Sequence, residues 1–190
     1  DSVATTATTT TLNFDDAVDA ATIGVNKVAA TVKVDSDTTA GALKTLTINA
    51  SGKASEVNLD QTAATIETLN ITGRADLALD FLAPAGSKIA TIDGSKAQGK
   101  LDLDLANTTA ATLKTVKTGT GDDTVTLGTG GGALNVASGT TIDLGAGNDK
   151  LVKGAGTIAA GSIIDGGAGI DSLDAGLVNA GNVGVFANFE

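Results

Sequence analysis

Seven apolar residues recur along this chain at intervals of 22 to 26 residues: Ile23, Leu46, Leu69, Ile92, Val116, Ile142 and Ile164. Threonine precedes each of the first six (Thr22, Thr45, Thr68, Thr91, Thr115, Thr141), and only Ile163 breaks the run. Nine residues past the anchor a second apolar column follows at Val32, Leu101, Val125, Leu151 and Leu173. Leu77 arrives one residue early, and Leu46 is answered only at Val57. A unit this short cannot bury its own apolar face, so it must stack on copies of itself. The period therefore predicts an all-β chain, a right-handed parallel β-solenoid of about seven coils.

One repeat shows how a coil is made. Leu69 and Ile71 alternate with Thr68 and Asn70, the pattern of a half-buried strand. A turn follows at Thr72-Gly73, and Leu77 and Leu79 open a second strand. The remaining Thr-, Ala- and Gly-rich stretch returns the chain to the next coil, with a short third strand best seen at Leu134-Asn135-Val136. The threonine column then climbs one sheet as an outward ladder, which β-propensity and Thr–Thr contacts explain. Residues 1–21 fit the period poorly and read as an irregular or partial coil; Thr11-Leu12-Asn13-Phe14 imitates Thr68-Leu69-Asn70-Ile71. Asn188-Phe189-Glu190 resembles Thr65-Ile66-Glu67, as if another repeat were beginning.

The composition agrees. The core is Val, Ile, Leu and Ala, with Phe14, Phe81, Phe186 and Phe189 as the aromatics, and small branched residues suit narrow coils. Cysteine is absent, so disulfides and thiolate metal sites are excluded. No window is apolar and long enough for a membrane helix. A formal charge of −10 makes nucleic acid a poor partner. The charge is uneven: residues 118–174 hold seven acids against Lys150 and Lys153, whereas residues 1–117 hold 14 acids against 10 bases.

That acid concentrates around three loops of one kind: Thr118-Gly119-Thr120-Gly121-Asp122-Asp123, Leu144-Gly145-Ala146-Gly147-Asn148-Asp149 and Gly166-Gly167-Ala168-Gly169-Ile170-Asp171. Glycine at alternate positions lets the backbone take positive φ and turn its carbonyls toward one point. Each loop ends in a hard anionic oxygen, and calcium takes about six to eight oxygens. One loop cannot supply them, but two loops one coil apart can. The expected ligands are the carboxylates of Asp123, Asp149 and Asp171 and the carbonyls of Gly119, Gly121, Gly145, Gly147, Gly167 and Gly169. Thr120, Asp122, Ala146, Asn148 and Ala168 are further candidates. Three loops make two sandwiched Ca2+ sites, with Asp149 expected to serve both. Counted from the anchor, Lys53, Asp76 and Gly99-Lys100 fall at the ligand position of earlier coils, so residues 1–117 are expected to be metal-free and 118–190 to carry the cations.

These loops resemble the GGxGxDxUx nonapeptide of RTX (repeats-in-toxin) proteins, where U is a large apolar residue. Residues 166–173 fit it in full; the other two loops have Thr118 and Leu144 in place of the first glycine. The resemblance implies a calcium-binding β-roll. The spacing departs from tandem nonapeptides, since the ligand aspartates lie 26 and 22 residues apart, which implies wider coils with cation loops along one edge. With phrases such as Ile66-Glu67-Thr68-Leu69-Asn70-Ile71-Thr72-Gly73, the whole is similar to surface-layer (S-layer) proteins that Gram-negative bacteria export by type I secretion. That resemblance implies a secreted, extracellular structural protein with calcium-dependent folding, self-association into a cell-surface lattice, and contact with cell-surface polysaccharide through other regions.

Other classes fit less well. A calcium-stabilised adhesin has the same sequence style. An ice-binding face needs a second threonine row, and the neighbouring column reads Gly24, Thr47, Asn70, Asp93, Lys117, Asp143. The tail of a secreted hydrolase runs as uninterrupted nonapeptides. Catalysis within the chain is disfavoured by the absence of His, Tyr and Trp and by a single arginine, Arg74.

Overall fold

The structure is a computed structural model that describes residues 8–14, 18–36, 43–63, 65–82, 88–106, 108, 112–128 and 134–190. Its strands fall into two eight-stranded parallel sheets. Sheet one is built from β1 (Thr8–Phe14), β3 (Ala29–Ser36), β5 (Ser55–Ala63), β7 (Leu77–Leu82), β9 (Leu101–Asp104), β11 (Thr124–Thr126), β14 (Lys150–Val152) and β17 (Ser172–Leu173). Sheet two is built from β2 (Ala20–Val25), β4 (Thr45–Ala50), β6 (Thr68–Gly73), β8 (Thr91–Ala97), β10 (Thr115–Lys117), β13 (Thr141–Asp143), β16 (Ile163–Asp165) and β18 (Phe186–Ala187). Each sheet-two strand from β2 to β16 passes through a turn into a sheet-one strand, giving a β-solenoid of about six turns. A short third pair, β12 (Asn135–Val136) with β15 (Thr157–Ile158), lies in the return where Leu134-Asn135-Val136 was expected.

The core lies between the sheets because alternate residues of each strand face inward. Leu46, Leu69, Ile92, Val116, Ile142 and Ile164 stack in one fully buried column, and Val57, Leu79, Leu103, Val125 and Leu151 in another. The return adds Leu43, Ile66, Ile89 and Leu113, each at most 1% exposed. Thr45, Thr68, Thr91, Thr115 and Thr141 align as the half-exposed ladder.

The second column is corrected, since Leu103 and not Leu101 pairs with Val125, and Ala30 and not Val32 pairs with Val57. Three further registers differ from the periodic reading. Ile23 pairs with Ile48 and Ala21 with Leu46, so the first coil is two residues longer than the anchor spacing implies. Leu12 pairs with Val34 in sheet one, so the segment that imitates a sheet-two strand belongs to the other sheet. Phe186 lies opposite Ile164, which puts Asn188-Phe189-Glu190 after a sheet-two strand rather than at its start. Residues 1–7 and 15–17 of the expected partial coil lie outside the described residues.

Strand length changes along the rod. From β1 to β9 the strands have four to nine residues; from β10 to β18 they have two or three. Later coils therefore carry fewer ladder hydrogen bonds each, and the three glycine loops occupy the length that strand gave up.

Candidate metal-binding loops

The three loops face one another across successive coils. Gly119 carbonyl accepts from Ala146 N–H and Gly145 carbonyl from Ala168 N–H, both at 2.9 Å, while Ala168 carbonyl accepts from Gly147 N–H. Ala146 and Ala168 form a parallel bridge. Glycine is needed for this closeness. A Cβ at Gly147 would stand 2.1 Å from the Gly121 carbonyl oxygen. Gly147 and Gly169 hold φ of 140° and 145°, as the alternating glycines predict. In the first loop the reason differs: no positive φ is found at Gly119 or Gly121, but a Cβ at Gly119 would lie 2.1 Å from Ala97 carbonyl oxygen.

The aspartates that end the loops point inward. Asp123, Asp149 and Asp171 are each 1% exposed. Strand register places them in one column with Leu101, Leu77 and Ser55 of the preceding coils. A column that is leucine lower in the rod thus becomes carboxylate in its last coils. This overturns the expectation that Lys53, Asp76 and Gly99-Lys100 stand at the ligand position. They lie in the turns, with Lys53, Asp76 and Lys100 exposed. The anchor-to-column distance is longer in those coils because β4, β6 and β8 run further before turning.

Each carboxylate reaches back one coil. Asp123 Oδ1 accepts from Leu101 N–H, Asp149 Oδ1 from Asp123 N–H and Asp171 Oδ1 from Asp149 N–H, all at 2.7 Å. Glu190 Oε2 continues the series by accepting from Asp171 N–H at 2.6 Å. The second oxygens separate the three aspartates. Asp123 Oδ2 accepts from Gly119 N–H at 3.0 Å, whereas the buried Asp149 Oδ2 and Asp171 Oδ2 have no hydrogen-bond partner.

The cause is the residue immediately before each loop. Asp143 Oδ1 accepts from Gly145 N–H and Asp165 Oδ1 from Gly167 N–H, at 3.2 and 3.0 Å. The first loop follows Lys117 instead, and its amide turns inward to Asp123. Asp143 and Asp165 fix the loop amides and are positions that the loop motif did not single out. Their signal was an aspartate six residues before the ladder aspartate in the last two loops alone. On the outer side, Asp122 Oδ1 accepts from Asn148 N–H and Asn148 Oδ1 from Ile170 N–H, so these side chains tie the loops together at the surface.

Burial without a counter-charge penalises ionisation. It raises the Asp123 carboxyl above its ordinary range, with Asp122 adding to the effect. Asp149 is pushed up to about 7, by desolvation first and then by the charges of Asp123, Asp171 and Asp122. A buried oxygen with no donor costs about 1–3 kcal/mol, more when charged. Two such oxygens in adjacent layers are the anionic part of what a hard cation would need.

The free carboxylate oxygens of Asp149 and Asp171 would suit a hard cation such as calcium, whereas the Gly119 and Gly145 carbonyls expected as further ligands already accept the Ala146 and Ala168 N–H groups. Asp149, expected to serve both layers, turns its Oδ1 toward Asp123 N–H. No group of three or more carboxylate, imidazole or thiolate side chains converges among the described residues, so each shell would be mostly carbonyl. No protein-family model, curated protein or solved structure matches the chain.

Proposed function

We propose that this chain is a calcium-stabilised structural solenoid, a segment of a secreted surface-layer-type protein whose last coils close around two Ca2+ ions after export. The single observation that carries the cation reading is the pair of buried, partnerless oxygens, Asp149 Oδ2 and Asp171 Oδ2, in stacked glycine loops. Calcium supplies the counter-charge those oxygens lack, and its binding free energy becomes folding free energy for coils whose strands are only two or three residues long. The chain's own residues do the rest: Asp143 and Asp165 hold the loop amides, and the glycines let the loops approach. A cytosol poor in calcium would leave these coils loose, whereas extracellular sites fill even with Kd on the order of 10⁻⁴–10⁻³ M. The surface-layer part of the reading rests on the resemblance of the repeats and on an all-β rod suited to lateral packing.

Calcium titration of EDTA-treated protein tests the first half, followed by circular dichroism and calorimetry. The expected result is uptake of two ions with a gain in β-structure and melting temperature. No change up to millimolar calcium would refute it. The lattice half is tested by electron microscopy of the protein at a bacterial surface.

A further inference from the structure

The two ends of the rod are complementary half-coils. At the first end, sheet one begins with β1, which pairs with β3, while sheet two begins only with β2. Among the described residues no sheet-two strand faces β1. The result is a groove of about 350 Å³ lined by Leu12, Ile23, Gly24, Val25, Val28 and Val32, among others. At the other end, sheet two runs on to β18 beyond β16, while sheet one stops at β17. The apolar groups there are Phe186 and Phe189, packed edge to face with centroids 6.4 Å apart and both half-buried.

We propose that copies of this chain associate head to tail, with β18 of one copy supplying the sheet-two strand that the β1 half-coil of the next copy lacks. All strands are parallel, so β18 would lie beside β2, and β17 beside β1, with unchanged direction. These four are edge strands among the described residues, and edges seek pairing. The Phe186–Phe189 pair is the apolar filling that the groove accepts. Charge agrees with the order of the ends. The turn at the groove carries exposed Lys27, and the aromatic end carries exposed Glu190. In the joined rod Lys27 of one copy follows Glu190 of another. The contact is heterologous, so it propagates rather than closing at two. The inference rests on the coil arrangement and not on the cation.

Sedimentation velocity of the 190-residue chain in excess calcium, from micromolar to millimolar protein, tests it. The expected mass grows with concentration and shows no plateau at the dimer. Phe186→Asp disables one end. Ile23→Asp disables the other, since Ile23 lines the groove from the inward face of the edge strand β2. Each variant alone should be monomeric, and an equimolar mixture should give a one-to-one dimer and nothing larger, because each copy retains one intact end. Circular dichroism confirms that each variant is folded, and Phe189→Asp replaces Phe186→Asp if that one is not. A wild type that stays monomeric, as it would if residues 1–7 of the same chain filled the groove, overturns the proposal. So does a dimer plateau, or a mixture that fails to pair. Calorimetry on the same samples keeps the readings apart: calcium uptake without association sinks this proposal alone, and association without calcium uptake sinks only the cation reading.

Discussion

Three aspartates share one buried column, and only two of them have an oxygen left over. Calcium stoichiometry should fall from two to one in Asp149→Asn and in Asp171→Asn. Asp123→Asn should keep two ions, because its second oxygen already accepts the Gly119 amide; titration calorimetry distinguishes these outcomes. The pH behaviour of the metal-free protein follows from Asp149. Its folded pKa of about 7 lies above the unfolded value of 3.8, so the folded state holds the proton more tightly. Its contribution to stability is full below about pH 4 and is lost as pH rises through about 7, by on the order of 4 kcal/mol. In EDTA, Asp149→Asn should therefore unfold close to wild type at pH 4 and be more stable than wild type at pH 8. Calcium should reverse that ranking at pH 8. Urea titrations of the two proteins at both pH values measure it.

At the scale of the element, the loops depend on backbone contact that no side chain permits. Gly147→Ala would press a Cβ to 2.1 Å from Gly121 carbonyl oxygen at a φ of 140°, and Gly169→Ala would be closer still against Gly147. Each should destabilise by on the order of 2–4 kcal/mol and abolish the adjacent cation site. Gly24→Ala is the control, in open space and without positive φ, and should change stability by less than about 1 kcal/mol. In the apolar strands the corresponding test is Leu69→Ala, which empties a fully buried position and should cost about 2–5 kcal/mol. Thermal melts in calcium and in EDTA report both effects: the glycine variants lose their calcium response, and Leu69→Ala keeps it.

The whole molecule is quasi-one-dimensional, since each coil touches only its neighbours. Coils through β9 hold their sheets with strands of four to nine residues, and later coils with two or three. Chelation should therefore loosen residues 118–190 first, while amides in β4 to β7 stay protected. Hydrogen exchange with and without EDTA measures this, and uniform loss of protection along the rod would contradict it.

The period of 22 to 26 residues was enough to name the architecture, because a repeat too short to bury itself has one way to form a core. The loops were legible for a similar reason: glycine alternation and clustered acid have few physical uses together. The register was not legible. Turn length varies between coils, so counting from the anchor put Lys53 and Lys100 where Ser55 and Leu101 stand. Nor could a motif tell Asp123 from Asp149, because the difference lies in which amide Lys117, or Asp143 in the next coil, leaves for the buried carboxylate. Local sequence determines that a turn bends and that a strand has a buried face. Only stacking decides which atoms of neighbouring coils meet, and a cation layer between loops exists only where they do.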